Sequence, residues 1–240
     1  MKYLLRLLLY LTIALTTFSL CSVLLTRFIP VTFTPLKFIA LWENRGEDAL
    51  PLRSRWVSLE RISPEMIRAV VATEDNNFMT HSGFDFEAIK QALAERREGG
   101  RLRGASTISQ QTAKNVFCLP SRTWVRKGVE AWFTFLIERC WGKRRIMEVY
   151  LNVIETHPNL YGAEATARSF YKKPASDLNR YEAAMIASVL PNPRRMNIGA
   201  PSSYLTRRAA QVRRLMAQVG EIDFDRPPVE EKNKEKKENK

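Results

Sequence analysis

Glu74-Asp75-Asn76-Asn77-Phe78-Met79-Thr80-His81-Ser82-Gly83 sits directly behind an apolar run, Ile67 to Ala72. The stretch combines an acidic pair, an aromatic anchor, a histidine and a glycine turn. A carboxylate leaving such a run is partly shielded from water, which raises its pKa and suits it to proton transfer. Alone, an Asp/Glu pair at a helix end is more commonly a solvated cap. Its neighbours give it chemical meaning. Downstream stand Gly104-Ala105-Ser106-Thr107-Ile108-Ser109-Gln110-Gln111-Thr112-Ala113-Lys114-Asn115, then Arg126-Lys127-Gly128-Val129-Glu130, then Lys143-Arg144-Arg145-Ile146-Met147-Glu148-Val149-Tyr150-Leu151-Asn152.

The surrounding pattern is helical. Ser63-Pro64 opens one helix, with serine as cap and proline at the first helical position. Asp85 can cap a helix carrying Phe86, Ile89 and Leu93 that ends at Gly99-Gly100. Ser106 can cap another running to about Val116. Val125, Val129, Trp132, Phe133, Leu136 and Ile137 recur at helical spacing. Asn179 with Glu182 makes a capping box before Ala183 to Leu190, and Pro191 stops that helix. Leu205, Ala209, Val212, Leu215, Met216 and Val219 mark a last one. No convincing strand alternation and no internal repeat interrupts this, so the body is expected to be mostly α.

The 240 residues carry a formal charge of +13, which suits an anionic partner. From Leu7 to Leu25 no residue is charged, which is enough to cross a bilayer as a helix. Lys2 and Arg6 precede the run and Arg27 follows, a weak bias toward a cytoplasmic amino terminus. A cleaved signal peptide has a shorter apolar core ending in small residues, whereas this run ends in Val23-Leu24-Leu25-Thr26. Leu20 is too bulky to precede a lipidated cysteine at Cys21. An uncleaved anchor is therefore expected, with the body outside the cytoplasmic membrane. Cys118 and Cys140 sit among apolar neighbours and make neither a disulfide framework nor a metal spacing.

Between Arg96 and Arg145 lie Arg96, Arg97, Arg101, Arg103, Lys114, Arg122, Arg126, Lys127, Arg139, Lys143, Arg144 and Arg145, opposed only by Glu98, Glu130 and Glu138. About half of such a set is ordinarily a solvated face. However, Gln110, Gln111 and Lys114 fall on one side of the Ser106 helix, whose start offers free N–H groups. Arg126, Lys127 and Glu130 fall within one turn, where an intrahelical salt bridge is the plain alternative. Two carboxylates, Glu74 and Glu130, thus stand in a field of cations. Glycosyl chemistry needs a carboxylate on the side of the attacking group. With a diphosphate leaving group, cations rather than a strong acid stabilise the departing charge.

From about Trp56 to Tyr204 these motifs, in this order, closely resemble those of family 51 glycosyltransferases, the peptidoglycan polymerases. That family includes the glycosyltransferase domains of class A penicillin-binding proteins and stand-alone monofunctional enzymes. The stand-alone type fits, because no Ser-x-x-Lys of a transpeptidase follows; Asn192-Pro193 and Ala200-Pro201-Ser202 also look like that subgroup. The resemblance implies a lysozyme-like, two-lobed, mostly α domain with a membrane-dipping lobe behind a single transmembrane helix. With the hydropathy and composition of the ends, the chain is expected to divide into a cytoplasmic stub and anchor (1–29), a juxtamembrane connector (30–55), a glycosyltransferase domain (56–222) and a charged disordered tail (223–240). The resemblance implies lipid II and the growing glycan chain as substrates and a β-1,4-linked glycan as product. Glu74 matches the general base, and Glu130 a second glutamate near the departing diphosphate or a cation there. Ser106, Thr107, Gln111, Lys114, Asn115, Arg122, Arg126 and Lys127 match positions holding diphosphate and sugar. Asp75, Phe78 and His81 shape the Glu74 loop. No cofactor or metal site is expected beyond stimulation by a divalent cation at the diphosphate. Expected partners are the cytoplasmic membrane and candidate cell-wall synthesis and division proteins, and not nucleic acid. Ser109, Thr112 and the Glu155-Thr156-His157-Pro158 stretch depart from the usual pattern, the last leaving its loop shape open. Two rival readings are a lysozyme-like murein-cleaving enzyme and a non-catalytic, membrane-tethered basic module binding anionic lipid or nucleic acid.

Overall fold

A computed structural model describes residues 1–43, 51–97, 104–121 and 123–225. The described chain is mostly helical. It runs α1 (Lys2–Phe28), α2 (Pro35–Glu43), β1 (Arg53–Ser54), α3 (Pro64–Glu74), α4 (Phe86–Arg97), α5 (Ile108–Phe117), α6 (Trp124–Cys140), α7 (Gly142–Val153), β2 (Glu155–His157), β3 (Leu160–Tyr161), α8 (Ala163–Thr166), α9 (Arg180–Val189) and α10 (Ser203–Gln218). Gly99 and Gly100, the expected stop of α4, lie outside the described residues, as does the tail from 226 onward.

Helix starts follow local chemistry. Ser63 caps α3 with Pro64 in the first turn, and Asn179 and Glu182 close a reciprocal box on α9. Asp85 Oδ1 accepts from the Ala88 N–H, and Ser202 caps α10. At α5 the cap is Thr107 rather than Ser106. Thr107 and Gln110 complete a capping box, so the helix begins one residue later than expected. Ser106 is thereby left outside the helix and exposed.

α5 packs against α6 and α7, while α3 packs against α9 and α10. Both groups share one hydrophobic core that includes Val70, Phe78, Ile108, Ile137, Ile146, Tyr150, Ile186 and Val212. α6 buries Glu130, Thr134, Leu136 and Ile137 and leaves Val125, Val129 and Trp132 exposed, so its apolar residues serve two faces.

The connector is built into the body. Lys37 on α2 is 2% exposed and donates to Ser54 Oγ at 2.7 Å; burial lowers its ammonium to about 8. β1 pairs in parallel with β3, which pairs antiparallel with β2. Between β2 and β3, Asn159 adopts φ 57°. The departure at 155–158 therefore closes as a hairpin, in which asparagine tolerates the left-handed conformation.

α1 spans 27 residues with only Ser19 and Val23 buried. Its second half docks on the body. Trp132 Nε1 donates to Ser19 Oγ at 3.1 Å and Trp141 Nε1 to the Val23 carbonyl at 2.7 Å. Arg145 donates to the Thr26 carbonyl at 2.8 Å, where a helix end leaves acceptors free.

Asn152 ties α7 to the entering chain. It accepts from the Val57 N–H at 2.9 Å and donates to the Val57 carbonyl at 2.9 Å. Gly162 (φ 85°) abuts it, and a Cβ there would lie 2.8 Å from the Asn152 carbonyl oxygen. Backbone cannot yield as a side-chain tip can. Gly162→Ala is expected to destabilise the fold by about 2 kcal/mol or more, measured by denaturant unfolding; a change within error would show that the backbone there relaxes freely.

Candidate active site

Glu74 is the last residue of α3, at the end of a buried turn formed by Ala69, Val70 and Val71. Gln111, one turn into α5, donates from Nε2 to Glu74 Oε2 at 2.9 Å. Behind it the wholly buried Tyr150 hydroxyl donates to Gln111 Oε1 at 3.4 Å. That contact orients the amide with its NH2 toward the carboxylate. Burial raises the Glu74 pKa; the Gln111 hydrogen bond and the Arg208 charge oppose the rise, and Asp75 adds to it. Burial, and then the charges of Glu74 and Asp75, push the Tyr150 phenol far up, so it remains a donor.

Asp75 turns the other way. It is buried, accepts from the Ile108 N–H at 2.9 Å, and meets His81 Nε2 at 2.8 Å. The Gly83 N–H donates to His81 Nδ1 at 3.0 Å, which requires the proton on Nε2. His81 thus ties Asp75 to the backbone of Gly83. Phe78 is fully buried with the Lys143 ammonium 4.6 Å from its ring centroid. The start of α5 is consequently not an open anion site: Asp75 occupies its first N–H, and Thr107 Oγ1 accepts the Gln110 N–H.

A cavity of about 680 Å³ opens beside Glu74, lined by Ser106, Gln111, Pro191, Arg208, Gln211 and Leu215 among others. Glu74 is the one carboxylate among its described lining residues. The wall formed by α10 was not among the site residues expected from sequence. α10 packs on α3, which brings the Arg208 charge to bear on the carboxylate.

The cations gather at the start of α6. Glu130, 3% exposed, receives Arg126 on Oε2 at 2.6 Å and Lys127 on Oε1. The intrahelical ion pair, the plain alternative for these residues, is what forms. Cys118 stands beside them; burial and then the Glu130 charge push its thiol up to about 11, against Arg126, Lys114 and Lys127. Cys118 lies seven residues beyond Gln111, about 10 Å along the helix. α5 thus carries the Glu74 contact near its start, while the cation cluster lies on the first turns of α6. Lys114 is exposed between them and Asn115 half-buried. Thr107 is buried as a cap, and Gln110 is committed to the same box rather than sharing a ligand face with Gln111. Arg122 lies outside the described residues. Among those residues, no group of three His, Cys, Asp or Glu side chains is placed to hold a metal.

A transglycosylase family model matches residues 46–217. The chain belongs to the transglycosylase family. A biosynthetic peptidoglycan transglycosylase of Bdellovibrio bacteriovorus is 51% identical over 198 residues, covering 81% of this chain and 78% of that protein. Proteins of the same name from Shewanella oneidensis and Bacteroides thetaiotaomicron are 47% and 48% identical. They cover 85% and 91% of this chain, and 87% of each relative. Within this transglycosylase every quoted motif lies inside the matched span, and α1 precedes it.

Because the Glu74 pKa is raised in the folded state, ionising it costs stability. Its contribution is most favourable below the unfolded-state pKa and is lost as pH rises through the folded-state value. Glu74→Gln is therefore expected to raise the thermal midpoint at pH 7 and leave it nearly unchanged at pH 4. Equal midpoints for the two proteins at pH 7 would show that the carboxylate is not strained.

Proposed function

We propose that this transglycosylase polymerises peptidoglycan glycan strands from lipid II, with Glu74 as general base. The observation carrying this reading is the half-buried Glu74 carboxylate, held by Gln111 through one oxygen and lining a cavity of about 680 Å³. Glu74 takes the proton of the N-acetylglucosamine 4-hydroxyl. That oxygen bonds to C1 of the growing chain's terminal N-acetylmuramic acid, and the C1–O bond to undecaprenyl diphosphate breaks. The electron pair leaves on the diphosphate, attack from the opposite face inverts the centre, and the β-1,4 linkage results. Lys114, Arg126 and Lys127 receive the diphosphate charge, with Arg122 as a further candidate; Ser106, Thr107, Gln111 and Asn115 border sugar and phosphate. Glu130 holds Arg126 and Lys127 in place. Asp75, Phe78 and His81 keep the Glu74 loop against α5. A divalent cation at the diphosphate would assist the same charge.

The domain limits follow this scheme: α1 as a single-pass anchor of the cytoplasmic membrane, residues 30–55 as connector, 56–222 as the catalytic domain outside the cytoplasm, and 223–240 as a tail. Cell-wall synthesis and division proteins are candidate partners.

With purified lipid II, Glu74→Gln is expected to lower polymerisation about a thousandfold or more while preserving the fold. Near-normal glycan synthesis by that variant would remove the base from the scheme. Activity is lost as pH falls through the Glu74 pKa, so its acid limb should lie above the ordinary carboxylate range. Gln111→Ala removes a hydrogen bond to the charged form and should move that limb up by about one pH unit, with Tyr150→Phe moving it less in the same direction. An unmoved limb in Gln111→Ala would assign the titration to another group.

A further inference from the structure

α10 carries Arg207, Arg208, Arg213 and Arg214 and no acidic residue in its sixteen positions. Among the described residues no carboxylate forms an ion pair with any of these four. Elsewhere in the body Arg126, Lys127, Arg144, Arg145 and Arg168 each meet a glutamate. A row of unpaired cations on a helix is ordinarily just solvated, but this helix is also a wall of the Glu74 cavity through Arg208, Gln211, Val212 and Leu215.

Tyr204, Arg207, Gln211 and Arg214 follow one another three and four residues apart, so they share one side of α10. All four are exposed, and Gln211 belongs both to this row and to the cavity. The row therefore meets the cavity at Gln211, with Arg207 and Arg214 about one turn to either side of it along α10. α10 packs on α3 and α9, whereas α1 packs on α6. A diphosphate bound at Arg126 and Lys127 leaves this second basic surface unused.

We propose that the Tyr204–Arg207–Gln211–Arg214 rim is a carboxylate subsite for the peptide borne by the incoming lipid-linked disaccharide; this rests on the polymerase reading above. The muramic acid of that disaccharide carries a short peptide with free carboxylates, one sugar away from the hydroxyl that Glu74 deprotonates. Arginine forks match carboxylates in two-point contact, and the Gln211 amide can donate beside them. Tyr204 offers a flat apolar face with a polar tip to the peptide backbone.

The test compares lipid II with a version whose peptide carboxylates are all converted to amides. For Arg207→Gln/Arg214→Gln in the full-length protein, KM for ordinary lipid II should rise about fivefold, as for two exposed charge pairs, with kcat changed less than about twofold. KM for the amidated substrate should stay at the wild-type value, and Arg207→Lys/Arg214→Lys should recover most of the lost affinity. An unchanged KM, or an equal rise with both substrates, overturns the subsite. Weaker binding to anionic phospholipid vesicles with KM unchanged would likewise overturn it and assign the rim to the membrane. Failure of the polymerase reading looks different: wild-type protein would make no glycan from either substrate, or Glu74→Gln would make it normally.

Discussion

The Asp75 carboxylate fixes the distance on which the rest of the site depends. It joins the chain leaving α3 to the first N–H of α5 and to His81, at 2.9 Å and 2.8 Å. A buried carboxylate with both oxygens engaged is held far more firmly than a solvated one, and the positive end of α5 favours its charge. Glu74, one residue earlier, is thereby pinned against Gln111. Gly83 completes the fastening. Its carbonyl accepts from Thr107 Oγ1 at 2.7 Å, and its lack of a side chain admits Glu138 and Thr134 from α6. The acidic pair thus divides its labour: Asp75 is spent on structure, and Glu74 keeps one oxygen without a protein partner among the described residues.

Charge is distributed with the same economy. The +13 excess is not a uniform coat. On α6, Arg126 and Lys127 are held by Glu130 into a compact cluster that is basic by a single net charge. On α7, Arg145 ties the end of α1 to the body and pairs with Glu148 at 2.8 Å. On α10, no arginine forms an ion pair with a carboxylate among the described residues. Paired cations act as fixed parts, losing little freedom when an anion arrives, whereas unpaired ones retain their full attraction and their mobility. A diphosphate is suited to the first arrangement and a flexible peptide to the second.

The anchor is part of this architecture rather than a loose tether. Trp132, Trp141 and Arg145 all reach it, and α2, just beyond it, buries Lys37 against the strand that pairs with β3. Holding the helix end this way fixes the height and tilt of α6, and with it the cation cluster, relative to any bilayer that α1 crosses.

Much of this was legible from residues alone because it rests on local chemistry. Ser63-Pro64, the Asn179–Glu182 box and the helical spacing of Leu205 to Val219 each describe contacts within a few residues, so helix positions and the mostly α body follow from sequence. So does the proton affinity expected of Glu74 at the exit of an apolar run. α5 starts one residue later than its first capping hydroxyl suggests, because Ser106 and Thr107 both offer one and only the reply of Gln110 selects between them. Whether Arg126, Lys127 and Glu130 open toward a ligand or close on one another depends on the burial of α6. Gln110 and Gln111 are adjacent in sequence but belong to a cap and to the site respectively, and the Arg208 charge reaches Glu74 only because α10 packs on α3. Such contacts join residues far apart in the chain, where no periodicity or motif can register the distance between them.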